Sequence, residues 1–200
     1  MQFVSSNSLP IAQPSKSLSN SLLGQITLSI AATGFVALCA HISLPLPFTA
    51  VPLTLQTFAV ILVGMVLGPV AGFSSMVLYL AEGAAGLPVF SPHGLGGVAQ
   101  LMGPTAGFLF SYPLAAAAAG FFTRTIRLAQ SNFRNGLVAG TVASLPIFLM
   151  GAAWLAHFSH IGITTAWYVA VAPFVVGEIV KVTAAAGIFT SLQRWRQSHS

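Results

Sequence analysis

Apolar runs close to 20 residues long recur along this chain, and they leave it few ways to fold. A helix needs about that many residues to cross the hydrocarbon core of a bilayer. Only 4% of the residues are charged and 56% are hydrophobic, and the mean hydropathy is +0.88. No soluble domain of this length covers its surface with so few charges. The reading is an all-α, multi-pass membrane protein, folded as one compact unit with no second soluble domain.

Punctuation by glycine, proline and polar clusters divides the chain into six expected spans, at about 22–42, 53–67, 70–85, 104–123, 136–158 and 165–192. The proline-rich loop 43–51 is too broken for helix, and Gly68-Pro69 ends the second span. A glycine-rich loop, 86–103, precedes the fourth span. Residues 1–21 are polar and lack the apolar core and cleavage pattern of a secretory signal, so they are expected to form a disordered cytoplasmic tail. The six-helix membrane domain then covers 22–192, and 193–200 form a short basic tail.

The basic residues orient the bundle. Lys16 precedes the first span, Arg124, Arg127 and Arg134 follow the fourth, and Arg194 and Arg196 follow the sixth. With six spans all three places fall on one side, which the positive-inside rule makes the cytoplasm. The expected topology is N-in and C-in, with loops 43–51 and 86–103 facing outward. The arginines flank apolar runs and lack a basic-patch pattern, so the net charge of +5 is not a nucleic-acid footprint.

Lys181 is the cation that this account leaves inside a span. It lies three residues after Glu178, one of two acidic residues in the chain, and 167–192 hold no other charge. A charge near a bilayer centre costs about 2.5–3.5 kcal/mol on insertion scales. At i and i+3 the two side chains share a helix face and partly neutralise each other. Such a pair is turned toward a cavity or a protein interior and reads by default as a functional site; an ion pair that only joins helices is the competing reading.

Other polar residues gather at the outer ends of the spans: Thr54, Gln56, Thr57, Tyr79, Glu82 and Gln100. Gln56 has four hydrogen-bonding positions to satisfy and is a pocket candidate. Membrane threonines such as Thr54 and Thr57 also bond to helix carbonyls, and a carboxylate at Glu82 near the interface is cheaply solvated. Gly103-Pro104-Thr105 opens a helix at the outer face, where free N–H groups attract anions. It echoes Gly68-Pro69 with the same Ala-Gly-Phe ending, as inverted repeats do; convergent helix-start chemistry explains the echo at least as well. The histidine spacing matches no zinc pattern and Cys39 stands alone, so no metal is expected.

Several of these motifs, taken in order, resemble the BioY family of biotin transporters. They are Pro52-Leu53-Thr54-Leu55-Gln56-Thr57, Tyr79-Leu80, Gly86-Leu87-Pro88-Val89-Phe90, Gly96-Gly97, Gly103 to Leu109, and Pro173-Phe174 with Gly177-Glu178 and Lys181. The resemblance covers nearly the whole chain after the N-terminal tail. It implies a six-helix S component of an energy-coupling-factor (ECF) transporter in a prokaryotic plasma membrane, binding biotin from outside. It also implies work with a transmembrane coupling subunit and two ATPases, or self-association where such proteins act alone. The family usually has Asp at the place of Glu178, often Pro at Val176, and Gly at Ala106. Small residues on the first helix, here Ser29, Thr33 and Ala37, are those that S components use for docking.

Biotin gives the charged pair a chemical reason. Its ureido group offers two N–H donors and a carbonyl acceptor, and its tail ends in a carboxylate. Glu178 accepts a ureido N–H, while Lys181 donates to the ureido carbonyl or attracts the carboxylate. The substrate-binding set expected is Glu178, Lys181, Gln56, Tyr79, Thr54, Gly97, Gln100 and Thr105, around lipid-embedded apolar walls. The chain has no phosphate-loop motif, no cofactor motif and no nucleophile with a partner, so no catalytic residue or cofactor is assigned. Two alternatives stand beside this reading: an S component for thiamine or riboflavin, and an intramembrane enzyme using Glu178 and Lys181 as acid and base. A self-sufficient ion-coupled carrier is a milder variant of transport.

Overall fold

A computed structural model describes residues 22–126 and 131–199, which leaves the expected tail, Lys16 and Arg127 outside the described residues. Helix α1 (Leu22–His41) leads into a strand pair, β1 (Ser43–Leu44) and β2 (Leu53–Thr54), and then α2 (Gln56–Leu67) and α3 (Pro69–Ala84). A short α4 (Gly97–Leu101) precedes α5 (Ala106–Thr125) and α6 (Asn132–Phe158). The chain ends in α7 (Ile163–Ala170), a 3-10 turn (Ala172–Phe174) and α8 (Val175–Ser198).

Helix α5 is the axis of the bundle, packed against α2, α3 and α6. Its buried face is made of small residues, with Ala115, Ala116 and Ala119 fully inaccessible and Gly120 buried. Lipid supplies no hydrophobic drive between helices, so close backbone approach and dispersion contacts must hold them. Gly64 of α2 shows how close the approach is: a Cβ there would run into the Ala116 carbonyl of α5. Large apolar side chains are turned outward instead, among them Leu23, Val70, Leu149 and Val176. A soluble protein does not expose apolar surface on this scale.

Four helical stretches are long and apolar enough to cross a membrane: Leu23–His41, Ala106–Thr125, Asn132–Phe158 and Ile163–Ser198. Helix α2 has 12 residues and rises only about 18 Å, short of the roughly 30 Å hydrocarbon core. The hairpin of β1 and β2 leads directly into its start, where Leu55 N–H donates to the Ile42 carbonyl at 3.1 Å. That hairpin pairs Ser43 with Thr54 and Leu44 with Leu53, antiparallel. The proline-rich loop is thus free of helix, as its composition implies, yet anchored by a strand pair that composition does not reveal.

The stretch 165–192, read from sequence as one span, is interrupted. Val171 leaves helical geometry and Pro173 sits in the 3-10 turn, where its ring and missing N–H forbid a regular continuation. Helix α8 restarts at Val175 and runs on to Ser198, through the segment expected to be a tail. The break places Glu178 in the first turn of α8. There the free N–H groups and the helix dipole favour a carboxylate.

Candidate functional site

Glu178 and Lys181 are both buried, 5% and 7% exposed, and pair at 3.2 Å. The Thr57 hydroxyl of α2 donates to Glu178 Oε2 at 2.9 Å and accepts from Lys181 Nζ at 2.9 Å. The Ser144 hydroxyl of α6 donates to Glu178 Oε1 at 2.9 Å. Both carboxylate oxygens are therefore held, from three helices. An ammonium has three N–H donors; two of Lys181's are engaged among the described residues, which leaves one for a ligand.

This network forms one wall of a cavity of about 610 Å³, counted with its open mouth. Val51 and Pro52 of the hairpin, Phe90 and Ser91 of the glycine-rich loop, Phe108 and Tyr112 of α5, Ile147 and Phe148 of α6, and Phe174 at the helix break complete the lining. The hydroxyl of Ser91 is buried and has no hydrogen-bond partner among the described residues. A buried polar atom left unpaired costs about 1–3 kcal/mol, which a ligand can recover.

The expected residues divide into three groups. Glu178, Lys181, Gln56, Thr54, Gln100 and Thr105 line the cavity. Tyr79 stands behind it: Gln56 Nε2 donates to the Tyr79 hydroxyl at 2.6 Å, which donates to the Val89 carbonyl at 2.7 Å. Gly97 starts α4 with φ of +57° and is not on the cavity wall. Gln100 Nε2 donates to Thr105 Oγ1 at 2.8 Å. Its amide packs on Gly94, where any Cβ would overlap it. Trp154 of α6 donates from Nε1 to the Gly103 carbonyl at 2.9 Å, fixing the start of α5. The proline-rich segment and the glycine-rich loop are tied by a contact of 2.9 Å between Ser43 Oγ and His93 Nδ1.

Sequence reasoning did not select Ser91, Tyr112 and Ser144, and read Thr57 as a helix-carbonyl partner. Away from the cavity, Thr33 of α1 is buried and its hydroxyl donates to Glu82 Oε1 of α3 at 3.1 Å. Ser29 and Ala37 are half-buried beside it. No group of three or more metal-ligating side chains occurs among the described residues.

A helical bundle with a broken last helix and a polar pair beneath anchored loops is the architecture of a solute-binding membrane component. A crystal structure described as the S-component for biotin from an ECF-type ABC transporter has this fold, with a TM-score of 0.77 and 26% identity, covering 85% of this chain and 90% of that one. The chain belongs to the BioY family, whose model matches residues 12–198. A probable biotin transporter BioY of Pyrococcus horikoshii is 41% identical over 143 residues, 72% of this chain and 81% of the relative. The biotin transporter BioY of Thermotoga maritima is 35% identical over 162 residues, 81% of this chain and 91% of the relative. That of Rhodobacter capsulatus is 32% identical over 185 residues, 88% of this chain and 94% of the relative. The resemblance read from the motifs is borne out, and the chain is an integral membrane protein of a transporter family rather than an enzyme.

Proposed function

We propose that this chain binds biotin from the outer side of a prokaryotic plasma membrane and is the substrate-binding component of an ECF-type uptake system. The observation that carries the reading is the neutral pair Glu178–Lys181, held by Thr57 and Ser144 at an aromatic-lined cavity. A ureido group is neutral with adjacent donors and an acceptor. It complements a neutral pair offering one acceptor and one donor without adding a third buried charge. The ureido ring therefore lies at Glu178 and Lys181, covered by Phe108, Tyr112 and Phe174. The valerate tail runs toward the loops, where Ser91, Gln100 and Thr105 supply polar contacts. Tyr79 positions Gln56, and Gly97 acts through the loop rather than by contact.

The chain crosses the membrane six times, α2 and α3 counted as short crossings and α7 with α8 as one, with both termini inside. Arg124, Arg134, Arg194 and Arg196 sit at the ends of α5, α6 and α8 away from the cavity, in keeping with the positive-inside rule. A coupling subunit with two ATPases supplies the energy, and α1 is the docking helix, through half-buried Ser29 and Ala37 rather than Thr33, which is buried against Glu82 of α3. Ala31 and Gly34 lie on its open face.

Mass spectrometry of the small molecule that copurifies with the protein, followed by calorimetric titration, tests the reading. Biotin should be recovered and bind tightly. Recovery of thiamine or riboflavin, or the absence of a biotin-dependent rise in Tm, would discard it.

A further inference from the structure

At the end of the bundle opposite the biotin cavity, α1, the α2–α3 turn, α5 and α8 surround a second cavity. It holds about 1640 Å³ with its open mouth. Arg124 and Arg196 both line it, with the hydroxyl-bearing Ser29 and Ser74. The Arg124 guanidinium donates to the Leu67 carbonyl at 3.1 Å and lies over Gly68, whose φ of +91° and missing Cβ leave it room. Helix α3 begins in the same wall: Gly72 N–H makes a bond to the Gly68 carbonyl at 2.8 Å, so the N–H groups of Val70 and Ala71 precede the first intrahelical partner. Two guanidinium groups and a helix N-terminus therefore converge on one space.

No carboxylate among the described residues answers that positive charge. The sequence contains two side-chain carboxylates in all. Glu178 is engaged by Lys181, and Glu82 accepts from Thr33; neither lines this cavity. An anion from outside the chain would balance the two guanidinium groups.

The surroundings say what kind of anion. Leu28, Val66 and Leu67 are shared with an adjoining apolar groove of about 560 Å³ between α1 and α2, where Phe35 and Leu62 continue the wall. A phosphate site opening into a hydrocarbon-lined groove along the bundle matches a molecule with a charged head and an acyl chain. Basic pockets between membrane helices hold lipid headgroups on this principle. We propose that this cavity is a binding site for an anionic phospholipid, its phosphate at Arg124 and Arg196 and one acyl chain in the α1–α2 groove.

The test uses the full-length protein in detergent, titrated with phosphatidylglycerol, phosphatidylcholine or inorganic phosphate, and read by native mass spectrometry and Tm. Phosphatidylglycerol should stay bound and raise Tm, phosphatidylcholine should do so far less, and inorganic phosphate should give little protection. Arg196→Gln should weaken phosphatidylglycerol binding about fivefold while leaving biotin affinity unchanged. Arg124→Gln should act in the same direction, but it also removes a helix cap, so the substitution at the exposed Arg196 is the decisive one. Equal binding of the two lipids, equal protection by inorganic phosphate, or undiminished phosphatidylglycerol binding in Arg196→Gln would each overturn the proposal. So would a variant that keeps the lipid but loses a copurifying coupling subunit, which would assign the cavity to that partner.

Discussion

Thr57 stands between the two buried charges, donating to Glu178 Oε2 and accepting from Lys181 Nζ, each at 2.9 Å. One hydroxyl thus fixes both groups, across 121 and 124 residues of sequence. Hydrogen bonds to charged groups are worth about 1.5–3 kcal/mol. Thr57→Val keeps the shape and removes both bonds. Biotin affinity should fall by roughly ten- to a hundredfold, with helix content unchanged by circular dichroism. Unaltered affinity by calorimetry would show that the pair is oriented by its other contacts alone.

Removing one charge should be worse than removing both. Lys181→Ala leaves a buried carboxylate without its cation, a loss of about 3–5 kcal/mol in comparable pairs. Lys181→Met with Glu178→Gln replaces the pair by neutral groups of similar volume. The single variant should lose both biotin binding and several degrees of Tm; the double should lose binding but recover most of the Tm. Equal Tm values for the two would contradict the account of the pair as a mutually neutralising unit.

Gln100 is aimed by Gly94, which leaves no room for a Cβ beside its amide. Gly94→Ala should push that amide away from Thr105 and raise the biotin dissociation constant roughly tenfold, for the loss of about one hydrogen bond. Gln100→Leu should have a similar effect and Gly97→Ala a smaller one on affinity, since a Cβ at Gly97 meets open space and its φ of +57° strains the start of α4 rather than the cavity wall. Measuring all three by the same titration separates cavity contact from loop conformation; an effect of Gly97→Ala as large as the other two would reverse that ranking.

The charged pair was legible in the sequence because charges are so scarce that Glu178 and Lys181 could not be surface residues. Their hydroxyl partners were not. Serines such as Ser91 and Ser144 are ordinary in loops and membrane helices, and nothing local tells which will face a carboxylate 34 residues away. Long apolar helices were legible by hydropathy, yet averaging over a window hides an interruption of three residues, so the Pro173 break passed unseen. A strand pair two residues long carries no periodicity to detect. The small-residue spacing on α1 marked a close-packed face, but spacing does not say against what. In the structure Thr33 on that face is bonded to Glu82 of α3.

Helix packing offers a control that avoids the cavity. Gly64→Leu would drive a side chain into the Ala116 backbone of α5. Overpacking of this kind costs about 1–3 kcal/mol or more. The variant should lower Tm and yield of folded protein. At temperatures where it remains folded, its biotin affinity should stay within about threefold of the parent. A selective loss of affinity with normal Tm would mean that α2 and the site move together.

Glu178 stands where the family resemblance implies an Asp, and the structure gives the longer side chain a specific task. Its two oxygens reach Ser144 on α6 and Thr57 on α2 at 2.9 Å each, from a backbone position in the first turn of α8. An aspartate would withdraw the carboxylate by one methylene. At that reach it cannot keep both hydroxyls unless α8 shifts toward the cavity. Charge and helix-dipole stabilisation are preserved, so the loss should be confined to hydrogen-bond geometry, at about 1–1.5 kcal/mol. Glu178→Asp should therefore bind biotin about tenfold more weakly, and Ser144→Ala should cost the Asp variant much less than it costs the parent. A double-mutant cycle measures that difference directly. Additive losses in the cycle would mean that the Ser144 bond survives the shortening, and that α8 sits closer to α6 when the ligand is bound.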